Sequence, residues 1–81
     1  MKKYPFDYNI CPDNSPEAFK DACRKIESHF ANLQKEKLLV DVDGTTIQVY
    51  AEQGKEIVVT DDYDIGAVFV QSEVSLNAVW E

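Results

Sequence analysis

The feature that most constrains the fold is a change of hydrophobic period part-way along the chain. From Pro16 to about Lys35, apolar residues recur at steps of three and four: Phe19, Ala22, Cys23, Ile26, Phe30 and Leu33. That spacing puts one stripe on one side of a helix, with Lys20, Asp21, Arg24, Lys25, Glu27 and Ser28 on the other. Beyond this segment the period drops to two. KLLVDVD, TTIQVYAE, KEIVVT and IGAVFVQ read as strands, separated by Asp43-Gly44, Gln53-Gly54 and Asp61-Asp62-Tyr63-Asp64. A parallel crossover needs a dozen or more residues, so connections this short predict antiparallel hairpins.

The flanks agree with this division. Ser15 suits an N-cap, Pro16 the first helical position and Glu17 the positive end of the helix dipole, while Asp21 and Lys25 form an i,i+4 pair. Ahead of the helix, Tyr4, Phe6, Tyr8 and Ile10 alternate with polar residues, and Pro5 confines residues 1–14 to an edge strand or an extended arm. Val74, Leu76, Ala78 and Trp80 alternate near the end, so residues 72–81 are a closing strand or a tail over the core. The expected fold is α+β in two layers: one long helix on an antiparallel sheet of four to five strands, in the order β-α-β-β-β-β. Residues 1–81 form a single domain.

Composition narrows the function classes. At 44% hydrophobic residues the chain holds enough apolar surface for a core, and it has no run long enough to cross a membrane. The opening MKKYPFDYN lacks an apolar stretch behind its lysines, so it does not read as a secretory signal and a cytoplasmic location is expected. Two cysteines are too few for a secreted disulfide scaffold; Cys23 falls on the apolar helical stripe and Cys11 reads as a loop thiol. His29, at the edge of the stripe, has no companion for a zinc set. The net charge of −7 is unevenly spread. Residues 1–40 carry seven basic and six acidic side chains, whereas residues 41–81 set Lys55 alone against nine carboxylates. Phosphates would be repelled by that half, which argues against nucleic acid and suits a basic protein partner.

One stretch carries a chemical suggestion. LLVDVDGTT, residues 38–46, resembles the nucleophile motif of haloacid-dehalogenase-like phosphatases over nine residues. The resemblance implies that Asp41 attacks phosphorus, that Asp43 handles the leaving-group proton, and that magnesium bridges the site at the end of a parallel strand. The same letters also spell a hairpin: Asp-Gly favours the centre of a type I′ turn, and Val40 and Val42 mirror Ile47 and Val49 around it. A motif counts when its structural context agrees, and a chain of short hairpins is the wrong context. The turn is therefore expected, with no enzyme and no cofactor. An EF-hand spacing is also absent, which leaves at most an incidental cation site between acidic turns.

Two surfaces follow from a simple meander. One sheet face, Val40, Val42, Ile47, Val49, Ala51, Ile57, Val59, Ala67 and Phe69, is expected to meet the helix. The other then displays Leu39, Tyr50, Val58, Val68 and Val70 as an apolar interface. The first and third turns share one end of the sheet, where Asp43, Asp61, Asp62 and Asp64, with Tyr63, form an acidic rim. The leading functional expectation is a small acidic module that binds and inhibits a basic protein, as an immunity protein or antitoxin does. The alternative is a homodimeric structural or regulatory domain joined through the outer sheet face; a phosphohydrolase using Asp41 and Asp43 is more distant.

Overall fold

Ser15 starts the helix in the way its side chain favours: its hydroxyl accepts from the Ala18 N–H at 3.1 Å, relieving one of the unpaired donors at the helix start. In the computed structural model, which describes residues 4–80, α1 runs Pro16–His29. It is shorter than its hydrophobic pattern suggests. At Phe30 the backbone turns extended (φ −104°, ψ 120°), and a turn at Ala31 and Asn32 follows. Phe30 and Leu33 still pack against the core, so the periodicity continues although the helix does not. Asp21 meets Lys25 at 3.3 Å and also Arg24, and these two cations, Lys25 foremost, hold its carboxyl below the usual value.

The described residues also form five strands: β1 Phe6–Cys11, β2 Gln34–Val40, β3 Thr46–Glu52, β4 Lys55–Asp62 and β5 Ala67–Ser72. All pair antiparallel in the order β1-β5-β4-β3-β2, so the last four form a meander and β1 returns to its far edge. With α1 on one face this is the expected two-layer α+β architecture. Cys11 is the last residue of β1, partly buried, rather than a loop thiol. Met1 to Lys3 of the predicted arm and Glu81 of the closing segment lie outside the described residues.

The core forms where α1 sets Phe19, Ala22, Cys23 and Ile26 against Tyr50, Ile57, Val59, Val68 and Val70. Leu76 and Val79 close it from the C-terminal side. Beyond Ser72 the described part of the closing segment forms no strand. It ends in a 3-10 turn, Asn77–Val79, and sits on the helix side. There the Leu76 N–H donates to the Tyr8 hydroxyl at 2.8 Å, and Trp80 meets the Tyr8 ring edge to face at 5.9 Å. The Tyr50 hydroxyl reaches across the layer to donate to Glu27. Burial keeps both the Tyr50 phenol and the Cys23 thiol protonated to higher pH than usual.

β3 and β5 present the faces opposite to those expected, and for β3 against β2 the difference is one residue of register. A two-residue turn at Asp43-Gly44 would set Val40 opposite Ile47. In the structure Leu39 lies opposite Ile47, and Val40 opposite Thr46. Side chains alternate with a period of two, so a slip of one exchanges the faces. Gln48, Tyr50 and Glu52 consequently point to the helix, while Ile47, Val49 and Ala51 point away. The same inversion holds in β5, where Val68 and Val70 are fully buried and Ala67 and Phe69 lie outside. β2 and β4 keep their expected facing, with Leu39 and Val58 outward and Ile57 and Val59 inward.

Candidate partner-binding surface

The loop from β2 to β3 is a type I turn with a bulge. The Gly44 N–H donates to the Asp41 carbonyl at 3.1 Å, and the Asp41 N–H donates to the Thr45 carbonyl at 2.8 Å. Gly44 has φ +97°, a conformation that side chains disfavour. Even in space a β-carbon would be tight there, only 3.3 Å from the ring of Tyr63. The true two-residue type I′ turn is the next one, where Gln53 and Gly54 both have positive φ. Asp at the first position and Gly at the fourth mark a type I turn, and that signature was present in Asp41-Val42-Asp43-Gly44.

Both aspartates of the motif are engaged in this loop. Asp41 Oδ1 accepts from the Val42 N–H at 2.7 Å, and Asp43 Oδ1 accepts from the Thr45 N–H at 2.9 Å. They sit at a hairpin tip on an antiparallel sheet rather than at the end of a parallel strand. Among the described residues, no three His, Cys, Asp or Glu side chains are grouped to hold a metal ion.

The loop from β4 to β5 is built in the same manner. Asp62 Oδ1 accepts from the Asp64 N–H at 2.8 Å and the Ile65 N–H at 3.1 Å, and the Gly66 N–H donates to the Asp62 carbonyl at 2.8 Å. Asn14, just ahead of the helix, donates to that carbonyl at 2.7 Å and to Asp61 Oδ1 at 3.1 Å. The two loops touch. The Tyr63 N–H donates to the buried Thr45 hydroxyl at 2.9 Å, and the Tyr63 ring lies over Gly44. As the meander requires, the first and third turns therefore form one surface.

Its membership differs from the expected rim. Asp43, Tyr63 and Asp64 are exposed and Asp62 is half-buried, but Asp61 is only 2% exposed and held by Asn14. Asp61 pairs with Val68 in the ladder, which turns its side chain toward the helix layer and away from any partner. In its place the structure adds Asp41 and two apolar side chains. Val42, expected in the core, is 103% exposed, and Ile65 is 69% exposed. Tyr63, at 45%, completes an apolar group set among carboxylates.

A second apolar surface lies on the side of the sheet away from α1. Of the residues expected there, Tyr50, Val68 and Val70 are fully buried beneath the helix, because the ladders set them opposite the inward residues Ile57, Asp61 and Val59 of β4. Leu39 and Val58 remain. They are joined by residues expected in the core: one ladder row reads Asn9, Phe69, Thr60, Ile47, Leu39, and the next reads Asp7, Gln71, Val58, Val49. Hydrophobic alternation could not tell this face from the other, because β5 is apolar on both and β3 turns the polar Gln48 and Glu52, with Tyr50, toward the helix.

Comparison of the chain with protein-family models, curated proteins and solved structures gives no match.

Proposed function

We propose that the chain is a protein-binding module that docks a basic partner through its acidic end, in the manner of an inhibitor, immunity protein or antitoxin. The observation that carries this reading is the exposure of Val42, Tyr63 and Ile65 among Asp41, Asp43, Asp62 and Asp64 on two loops fastened to each other. Exposed apolar groups supply the area that is desolvated on contact, and tyrosine is a preferred anchor in such contacts. Carboxylates around them select positive partners and speed encounter. Both loops are tied by their own side-chain hydrogen bonds, so little order need be gained on binding.

The experiment is capture of a basic protein by the purified chain, compared with the variant Asp43→Asn, Asp62→Asn, Asp64→Asn, Tyr63→Ala. Asparagine retains the acceptor oxygens that hold the turns, so the variant keeps its fold while losing charge and anchor. Retention of the same basic partner by parent and variant alike, at low and high salt, would remove the acidic end from the account.

A further inference from the structure

We propose that β2 is the seam of a two-fold homodimer, in which the β2 strands of two copies pair antiparallel about Leu39 and join two five-stranded sheets into one. All seven residues of β2 are exposed, with Leu38 at 57%, Leu39 at 49% and Val40 at 68%. The cause is geometric. A helix is about 10 Å across and strands lie about 4.8 Å apart, so one helix covers two or three strands of a five-stranded sheet. Here α1 lies over the middle of the sheet and toward β1, and a cavity of about 270 Å³ lies between it and Leu38 of β2, with Lys35 reaching across to Glu27 at 3.4 Å.

The opposite edge is guarded as sheet edges usually are, by Pro5 beside β1 and by the exposed Asp7 and Asn9 within it. On β2 that protection stops at Lys37, and Leu38-Leu39-Val40 is left as a bare apolar edge. A second copy is the occupant that its charges fit. The Asp41 N–H bonds to β3, so by antiparallel alternation the main chain of Leu39 also faces β3, and the N–H and C=O of Leu38 and Val40 face outward. Two copies can match outward groups only if the axis passes through a residue. An axis at Lys37 opposes two ammonium groups, and one at Leu38 or Val40 sets a charged residue, Lys37 or Asp41, against Leu39 of the partner subunit. An axis at Leu39 sets Leu38 against Val40 of the partner subunit and Lys37 against Asp41 of the partner subunit, each twice by symmetry. It also continues the outer row of Phe69, Ile47 and Leu39 into the second copy.

This contact shares Asp41 with the acidic end, so it is tested where that reading has no stake. Sedimentation of the full chain over a concentration series should show a monomer–dimer equilibrium reaching twice the chain mass. Val40→Pro removes an outward N–H without touching a bond to β3, and should weaken the dimer about 100-fold, the loss of two backbone hydrogen bonds. Leu39→Lys, which places two ammonium groups on the axis, should give a monomer with unchanged circular dichroism, and serves if the proline variant misfolds. Lys37→Asp should dissociate the dimer and Lys37→Asp with Asp41→Lys should restore it. Asp43→Asn with Asp62→Asn and Asp64→Asn should leave it intact. A parent that stays monomeric to millimolar concentration, or a dimer indifferent to Leu39→Lys and to the charge exchange, would overturn the proposal.

Discussion

The Tyr63 backbone N–H donates to the Thr45 hydroxyl at 2.9 Å, across two loops separated by eighteen residues of sequence. This bond makes one surface of two turns. Thr45 is only 8% exposed, so its hydroxyl is a structural acceptor at the root of the candidate surface.

Removing that acceptor should loosen the surface before it unfolds the protein. Thr45→Val keeps the shape of the side chain and leaves the Tyr63 N–H unpaired, which costs about 1–2 kcal/mol. In so small a domain each kcal/mol lowers Tm by roughly 4–8 °C. A thermal melt identical to the parent, with unchanged amide exchange at Tyr63, would show that the two loops are independent.

The helix stripe is the mechanical centre of the fold. Ile26 has no exposed surface, and Ile26→Ala should cost about 2–5 kcal/mol, a large part of the stability of a domain this size. Chemical denaturation measures the loss; a variant as stable as the parent would mean that α1 does not pack through Ile26.

The facing of the sheet is testable with one pair of substitutions. Val58 lies on the outer face and Val68, fully buried, on the helix face. Val58→Lys should fold with nearly parental stability, whereas Val68→Lys places an unpaired charge in the core and should unfold the chain. Equal tolerance of both would return these residues to a common face.

Stability should fall in alkali. Burial raises the Cys23 thiol from an ordinary value of 9.0 and the Tyr50 phenol from 10.0, so the folded chain holds both protons longer than the unfolded one. Their stabilising effect is complete below pH 9.0 and is lost progressively as pH rises past 10.0 toward the raised folded values. Urea midpoints at neutral and alkaline pH check this, and Tyr50→Phe should reduce the alkaline loss. A midpoint that stays constant through the alkaline range would contradict it.

Much of the architecture was legible in the sequence because two periods, 3.6 and 2, were written clearly and each had matching punctuation. Ser15, Pro16 and Glu17 mark the helix start where it occurs. The far end was illegible because Phe30 and Leu33 reach the core equally well from an extended backbone. The candidate surface was half legible. Asp43, Tyr63, Asp62 and Asp64 were readable as acidic turns on one end, but Val42 is exposed because it lies within the turn, Asp61 is buried because β4 runs on to Asp62, and Tyr50 is buried because it pairs with Ile57. Between β2 and β3 the register is set at Gly44 and shifts again between Lys35 and Leu38.

Whether the acidic end recognises a partner is read from the association rate of the chain with its captured basic partner, measured against ionic strength. Encounter steered by Asp43, Asp62 and Asp64 should be fastest at low salt and slow as screening shortens to about 8 Å at physiological ionic strength. Asp43→Asn with Asp62→Asn and Asp64→Asn should slow association roughly 10-fold at low salt, with the two curves converging at high salt. A rate indifferent both to salt and to the three substitutions would show that the acidic end takes no part in recognition.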